Sequence, residues 1–168
     1  MRKSIITSLT AAGVLALTGL ASSAEDQAAA LAKALGEASV SLEQGLKASA
    51  RDGAPLSAKF ELENGALQLS VYTMKGDHFS EVIVDHKSGV IKKAEQISEA
   101  DDLKEAKEQS QAMTKAKLPL DQAVANAVKA NSGYRAVSVT PTLESGAPVA
   151  DITLMKGAEV KNVAEKLN

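Results

Sequence analysis

The sequence predicts an α+β fold made of two similar units in tandem, each an amphipathic helix packed on a small antiparallel β-meander. Between residues 58 and 91, apolar and polar residues alternate and turn signals interrupt the pattern, as expected for half-buried strands. A helical stripe of leucines precedes this stretch and supplies the cover that its apolar face needs. The order helix then meander occurs again further along the chain.

The first hairpin of the meander is predicted at Asn64 and Gly65. These two residues separate two alternating runs, and both tolerate the positive φ that a two-residue type I′ turn requires. The turn sets the register of the two strands and places every apolar pair on one face. The expected pairs are Leu62 with Leu67, Phe60 with Leu69, and Ala58 with Val71.

A second turn at Gly76 and Asp77 extends the same sheet. It places Val82 opposite Val71 and Val84 opposite Leu69, so a third strand continues the apolar face. Residues 85–89 then turn the chain toward Val90 and a fourth strand. The opposite face carries three large side chains, which are a candidate partner-binding surface unless the second unit or the connecting segment covers them: Tyr72, Met74 and Phe79.

Two helices are predicted before the meander. Residues 25–35 are rich in alanine, with acidic residues first and Lys33 late, which suits the helix dipole. Ser41 and Gln44 have the spacing of a capping box at the start of a second helix. That helix buries Leu42 and Leu46.

Residues 98–117 are predicted to form a connecting helix, with Ser98 and Asp101 at its start. Its apolar residues are sparse, so we expect a largely solvated helix. Pro119 suits the first turn of the following helix. An apolar stripe runs along that helix: Leu120, Val124, Ala127 and Val128.

A second meander follows, with strands at 136–140 and 149–155 around a turn at 144–146. Its last segment, ending at Leu167, fits a strand or a helix. Residues 40–44 match residues 118–122 at a spacing of 78, and residues 71–76 match residues 152–157 at 81. We interpret the matches as a tandem duplication.

The first 24 residues have the three parts of a secretory signal peptide, and we expect cleavage after Ala24. Arg2 and Lys3 precede an apolar run from Ile5 to Leu20, which is shorter than the roughly 20 residues that span a membrane. Loss of Arg2 and Lys3 leaves 17 basic against 21 acidic residues, a formal net charge of −4. This charge disfavours nucleic acid and anionic membrane surfaces as partners.

The sequence contains no recognisable catalytic or metal-binding motif. Cysteine is absent, and neither a Gly-x-Ser-x-Gly elbow nor a phosphate-binding glycine loop occurs. The two histidines, His78 and His86, each follow an aspartate, but the predicted register separates them by the length of the third strand, about 25 Å. We therefore expect no catalytic residue, no metal site and no cofactor.

The helix beginning Val40-Ser41-Leu42-Glu43-Gln44, the Asn64-Gly65 hairpin, and the segment from Ser80 to Val90 with its Asp85-x-x-Ser88-Gly89 turn together resemble a PepSY domain. The resemblance covers residues 40–97 and, less closely, 118–168, where the Asp-x-x-Ser-Gly turn is missing. It implies cystatin-like units in a periplasmic or secreted protein. Members of that family are associated with propeptides of thermolysin-type metalloproteases and with proposed peptidase inhibition.

The expected organisation is a signal peptide at 1–24, a first PepSY-like unit at 25–97, the connecting helix at 98–117 and a second unit at 118–168. The expected function is a non-enzymatic envelope module that binds another protein, such as a peptidase that it inhibits or regulates. The alternative is a periplasmic sensor or carrier of a small ligand or metal, bound in the cleft between the units. The sequence leaves the oligomeric state open.

Overall fold

The computed structural model describes residues 23–168; the predicted signal peptide up to residue 22 lies outside the described residues. The helices are α1 (Ala24–Leu35), α2 (Leu42–Ser49), α3 (Ala100–Lys115) and α4 (Leu120–Ala130). The strands are β1 (Ala54–Glu63), β2 (Ala66–Lys75), β3 (His78–Val84), β4 (Ile91–Gln96), β5 (Arg135–Glu144), β6 (Ala147–Lys156) and β7 (Glu159–Lys166). Among residues 23–168, none of the helices combines the length and apolar character needed to cross a membrane.

All seven strands form one antiparallel sheet, in the order β4-β3-β2-β1-β5-β6-β7. The sequence predicts two small sheets, but β1 and β5 pair directly and join the two meanders into one. Only two residue pairs make this junction, Ala58 with Val139 and Lys59 with Ser138. The fold is therefore α+β with a continuous sheet, whose free edges are β4 and β7.

The predicted register of the first meander is confirmed. Asn64 and Gly65 have φ values of 50° and 80°, as a type I′ turn requires, and Phe60 pairs with Leu69. The second turn places Val71 opposite Val82. The pairs Phe60–Leu69 and Val71–Val82 consequently lie on one apolar face.

The second meander reproduces the details of the first. Ser145 and Gly146 have φ values of 50° and 83°, and they stand 81 positions after Asn64 and Gly65. A β-bulge lies between Pro55 and Ser57 in β1, and another lies between Ala136 and Ser138 in β5, at the same spacing. The final segment, for which the sequence allowed a strand or a helix, is strand β7.

Helices α2 and α4 lie side by side on the apolar face of the sheet. The predicted capping box is present at α2, where Ser41 Oγ accepts from the Gln44 amide and Gln44 Oε1 accepts from the Ser41 amide. The core beneath the two helices is aliphatic. It includes Leu42, Leu46, Leu69, Val71, Val124, Val139 and Ile152, each at most 2% exposed.

Helix α3 packs on the opposite face of the sheet, which corrects the prediction of a largely solvated helix. Ala106 and Ala112 are fully buried, because their small side chains let the helix approach β1, β2, β5 and β6 closely. The predicted capping role of Ser98 and Asp101 was also wrong. The N-cap is Glu99, and it makes no side-chain capping hydrogen bond.

A segment near the C-terminus fixes the connection between α3 and α4. The Leu167 carbonyl accepts hydrogen bonds from the amides of Lys117, at 2.6 Å, and Leu118, at 2.9 Å. The Leu167 amide donates to the Pro148 carbonyl at 3.0 Å, and its side chain is 0% exposed. Leu167 thus hydrogen bonds both to β6 and to the segment between α3 and α4, where the chain passes from one face of the sheet to the other.

We expect Leu167→Ala to lower the free energy of unfolding by about 2–5 kcal/mol, because it leaves a cavity in a fully buried position. The control is Leu143→Ala, at a leucine that is 38% exposed, where we expect a loss below about 1 kcal/mol. Urea unfolding of both variants measures the difference. Equal losses would contradict the role assigned to Leu167.

Candidate functional site

The predicted partner-binding surface of Tyr72, Met74 and Phe79 lies beneath α3. Tyr72 is 5% exposed and Phe79 is 8% exposed, and both belong to a cluster with Leu56, Ile97 and Ala106. The Ser110 hydroxyl of α3 donates to Met74 Sδ at 3.1 Å. The sequence left open whether the second unit, the connecting helix or a partner covers these residues, and the structure shows that the connecting helix α3 does. A partner therefore reaches them only when α3 moves.

The hydroxyl of Tyr72 sits among acidic side chains at the edge of α3. The carboxylates of Asp102, Glu61, Glu81 and Glu105 are close to it. Burial is the main cause that raises the pKa of Tyr72 far above its usual range, and these carboxylates raise it further. Tyr72 is therefore a neutral hydrogen-bond donor at physiological pH, and it is unsuited to act as a base or nucleophile.

The interface between α3 and the sheet contains polar groups whose burial is not fully offset by hydrogen bonds or opposite charges. Burial raises the pKa of Asp102, and Tyr72 and Lys59 only partly oppose this effect. Burial also raises the pKa of Glu105, and the Asp102 charge adds to the shift. Gln109 is 6% exposed, and its Oε1 atom has no hydrogen-bond partner. Such groups weaken an interface, because the free energy lost when they are desolvated is not fully offset.

The histidines lie at the two ends of β3. His78 is the first residue of that strand, and His86 follows its last residue by two positions. Within residues 23–168, no three His, Asp or Glu side chains are grouped closely enough to hold a metal ion. The backbone of His86 holds the segment between α1 and α2, because its carbonyl accepts hydrogen bonds from the amides of Ser39 at 2.9 Å and Val40 at 3.0 Å.

Asp85 organises the turn that carries the PepSY-like Asp-x-x-Ser-Gly pattern. Its carboxylate accepts from the amides of Lys87 at 3.0 Å and Ser88 at 2.7 Å, and it forms an ion pair with Lys92 at 2.6 Å. The hydrogen bond from Lys92, followed by those from Ser88, holds the pKa of Asp85 well below its usual range. Gly89 completes the turn with a φ of 76°. The pattern therefore shapes the loop on which the α1–α2 connection docks.

A cavity of about 360 Å³ opens to solvent where the two halves of the chain meet. Its walls are the last turn of α2, the start of β1, the end of α3 and the first residues of α4. Lys47 and Asp121 form a 3.6 Å ion pair across the two halves beside this cavity. A cleft between the units was expected from the sequence, but its walls could not be predicted because they come from four separate segments.

Two exposed apolar side chains distinguish the surface of the described residues. Val90 is 60% exposed and precedes the edge strand β4, whereas Leu143 is 38% exposed and lies on the interior strand β5. Both edge strands carry charged residues, including Lys92, Lys93 and Glu95 on β4. Charged edge residues limit uncontrolled pairing between sheets.

No family model matches the chain, and no curated protein matches it. Among solved structures, a putative lipoprotein from Clostridium difficile 630 is similar, with a TM-score of 0.42 and 12% sequence identity. The match covers 73% of this chain and 80% of that protein.

We expect Asp85→Asn to lower the melting temperature at pH 7, because asparagine keeps the turn acceptor but loses the ion pair with Lys92. The pKa of Asp85 is lowered by folding, so its ionised form stabilises the protein above about pH 4, and this contribution is lost as the pH falls further.

The difference in melting temperature between the two proteins should therefore shrink as the pH falls from 4 toward 2. Thermal unfolding followed by circular dichroism measures it. Asp77→Asn, at an exposed turn residue of the same meander, is the control and should show little difference at any pH. A difference that grows on acidification would contradict the role of Asp85.

Proposed function

We propose that the protein is a non-enzymatic module of the cell envelope that binds another protein, and that this partner is a peptidase that it inhibits or regulates. The proposal rests on the PepSY-like pattern from Val40 to Val90. Its helix, hairpin and Asp85 turn occur in the order that the resemblance implies. A periplasmic or secreted location belongs to the same proposal, supported by the signal-like segment in residues 1–24.

We also propose that the two halves are tandem PepSY-like, cystatin-like units. The matching turns and bulges at a spacing of 81 residues support this duplication. Within residues 23–168 the two halves differ, because β3 is followed by β4 whereas β7 is the last described strand. The complete Asp-x-x-Ser-Gly turn also occurs only in the first half.

The free edge of β4 is the contact surface that the geometry favours. One side of this strand is unpaired, so an extended peptide of the partner can add to the sheet through main-chain hydrogen bonds. Val90, 60% exposed in the turn that precedes β4, supplies an apolar contact next to that strand. This combination of a free edge with an exposed valine favours β4 as the contact surface.

The surface of Tyr72, Met74 and Phe79 is the second contact mode, and it requires α3 to move. The unpartnered Gln109 Oε1 and the partly buried Asp102 and Glu105 carboxylates favour such a movement. The two modes differ in one testable respect, because only the second depends on the freedom of α3.

We expect Val90→Glu to abolish capture of the partner in a crosslinking pull-down from the native envelope fraction, because a charge replaces the apolar contact. Leu143→Glu is the matched control and should capture the partner normally, since Leu143 is not on an edge strand. The captured protein is then assayed as a peptidase at a near-equimolar ratio. Equal capture by both variants would exclude the β4 edge, and unchanged peptidase activity would exclude inhibition.

A double variant, Met74→Cys with Ser110→Cys, separates the two modes in the same assay. These side chains touch, and the natural chain has no cysteine, so a short bis-methanethiosulfonate reagent, which joins the two thiols through disulfides, links α3 to β2 alone. The reagent is needed because Cys Sγ reaches less far from the backbone than Met Sδ. We expect the crosslinked variant to capture the partner as well as the natural protein does. Loss of capture that reducing agent restores would instead assign binding to the surface beneath α3.

A sensor or carrier of a small ligand is the second candidate function, and the cavity at the junction of the two halves favours it. Its volume of about 360 Å³ falls in the range of small-molecule sites. A ligand bound there contacts both halves at once and stabilises the native state.

A further inference from the structure

The walls of the cavity between the two halves are mostly apolar and not aromatic. Leu46 and Ala50 come from the end of α2, Pro55 from β1, Met113 and Ala116 from the end of α3, and Leu118 from the connection to α4. These side chains are aliphatic or contain a thioether, and none is aromatic. An aliphatic ligand therefore gains burial of apolar surface here, whereas a planar aromatic ligand finds no ring on which to stack.

The polar side chains that line the cavity are few and are located at its solvent side. Lys47 and Lys117 are exposed, and Asp121 pairs with Lys47 at 3.6 Å. The two ammonium groups outnumber the single carboxylate. The local charge therefore complements a ligand that has an anionic group at one end.

The size of the site suits a single chain. The cavity is open to solvent and has a volume of about 360 Å³, near the lower limit for small-molecule sites. We infer that this cavity binds one aliphatic chain of medium length with an anionic head group. The chain lies along Leu46, Ala50 and Met113, and the head group lies beside Lys47 and Lys117. This inference rests on the second candidate function and defines the ligand class for it.

The probe is decanoate, titrated into the ¹⁵N-labelled protein that comprises residues 25–168, with binding followed by NMR chemical shifts. We expect saturable shifts at the amides of Ala50, Met113 and Ala116. Ala50→Leu should weaken binding at least tenfold, because the larger side chain occupies the space of the ligand. Ala130→Leu is the matched control at the exposed end of α4 and should leave binding unchanged.

A comparison of decanoate with neutral decanol tests whether the two lysines bind the anionic head group. The double variant Lys47→Gln with Lys117→Gln should bind decanoate several-fold more weakly, while its binding of neutral decanol stays the same. Equal effects on both ligands would overturn the anionic part of the inference. Absence of shifts, or shifts that Ala50→Leu does not reduce, would overturn the site itself.

These outcomes are separate from those of the proposed functions. Failure with decanoate leaves the capture experiment at β4 unaffected. A thermal-shift screen in which another class of small molecule stabilises the protein would keep the second candidate function while excluding this ligand class.

Discussion

The pairing of β1 with β5 is the contact on which the arrangement of the whole molecule depends. It consists of two residue pairs, yet it converts two meanders into one sheet and thereby places α2 beside α4 on the same face. Arg135 strengthens the junction, because its guanidinium donates to the carbonyls of Leu35 at 2.8 Å and Val40 at 3.2 Å and lies 5.4 Å from the ring of Phe60. The cavity of the proposed ligand site exists only because the halves meet in this way.

The two faces of the sheet are covered by different means. Helices α2 and α4 bury leucine and valine in a large aliphatic core, whereas α3 packs on a smaller cluster that contains Leu56, Tyr72, Phe79 and Ile97, beside an unpartnered amide oxygen. An interface of the second kind gains less from apolar burial and loses more through desolvation. Leu167 holds the C-terminal connection of α3 in place.

The local features of the fold were predictable from the sequence because their causes are local. The Asn64-Gly65 turn determined the register of β1 and β2, and Ser41 with Gln44 marked the start of α2. The pairing of β1 with β5 joins residues about 80 positions apart, and no turn chemistry specifies it. The burial of α3 was missed because alanine contributes little to an amphipathic pattern although it permits close packing. The candidate cavity has walls from four segments, so no single stretch of sequence indicated it.

The most direct test of this account is residue-resolved urea unfolding followed by NMR, which asks whether the two halves behave as one body. A continuous sheet with a shared core predicts one midpoint for amides in β2, β3, β6 and β7 alike. Two separate midpoints, one for the strands before α3 and another for the strands after α4, would contradict the central role of the β1–β5 junction.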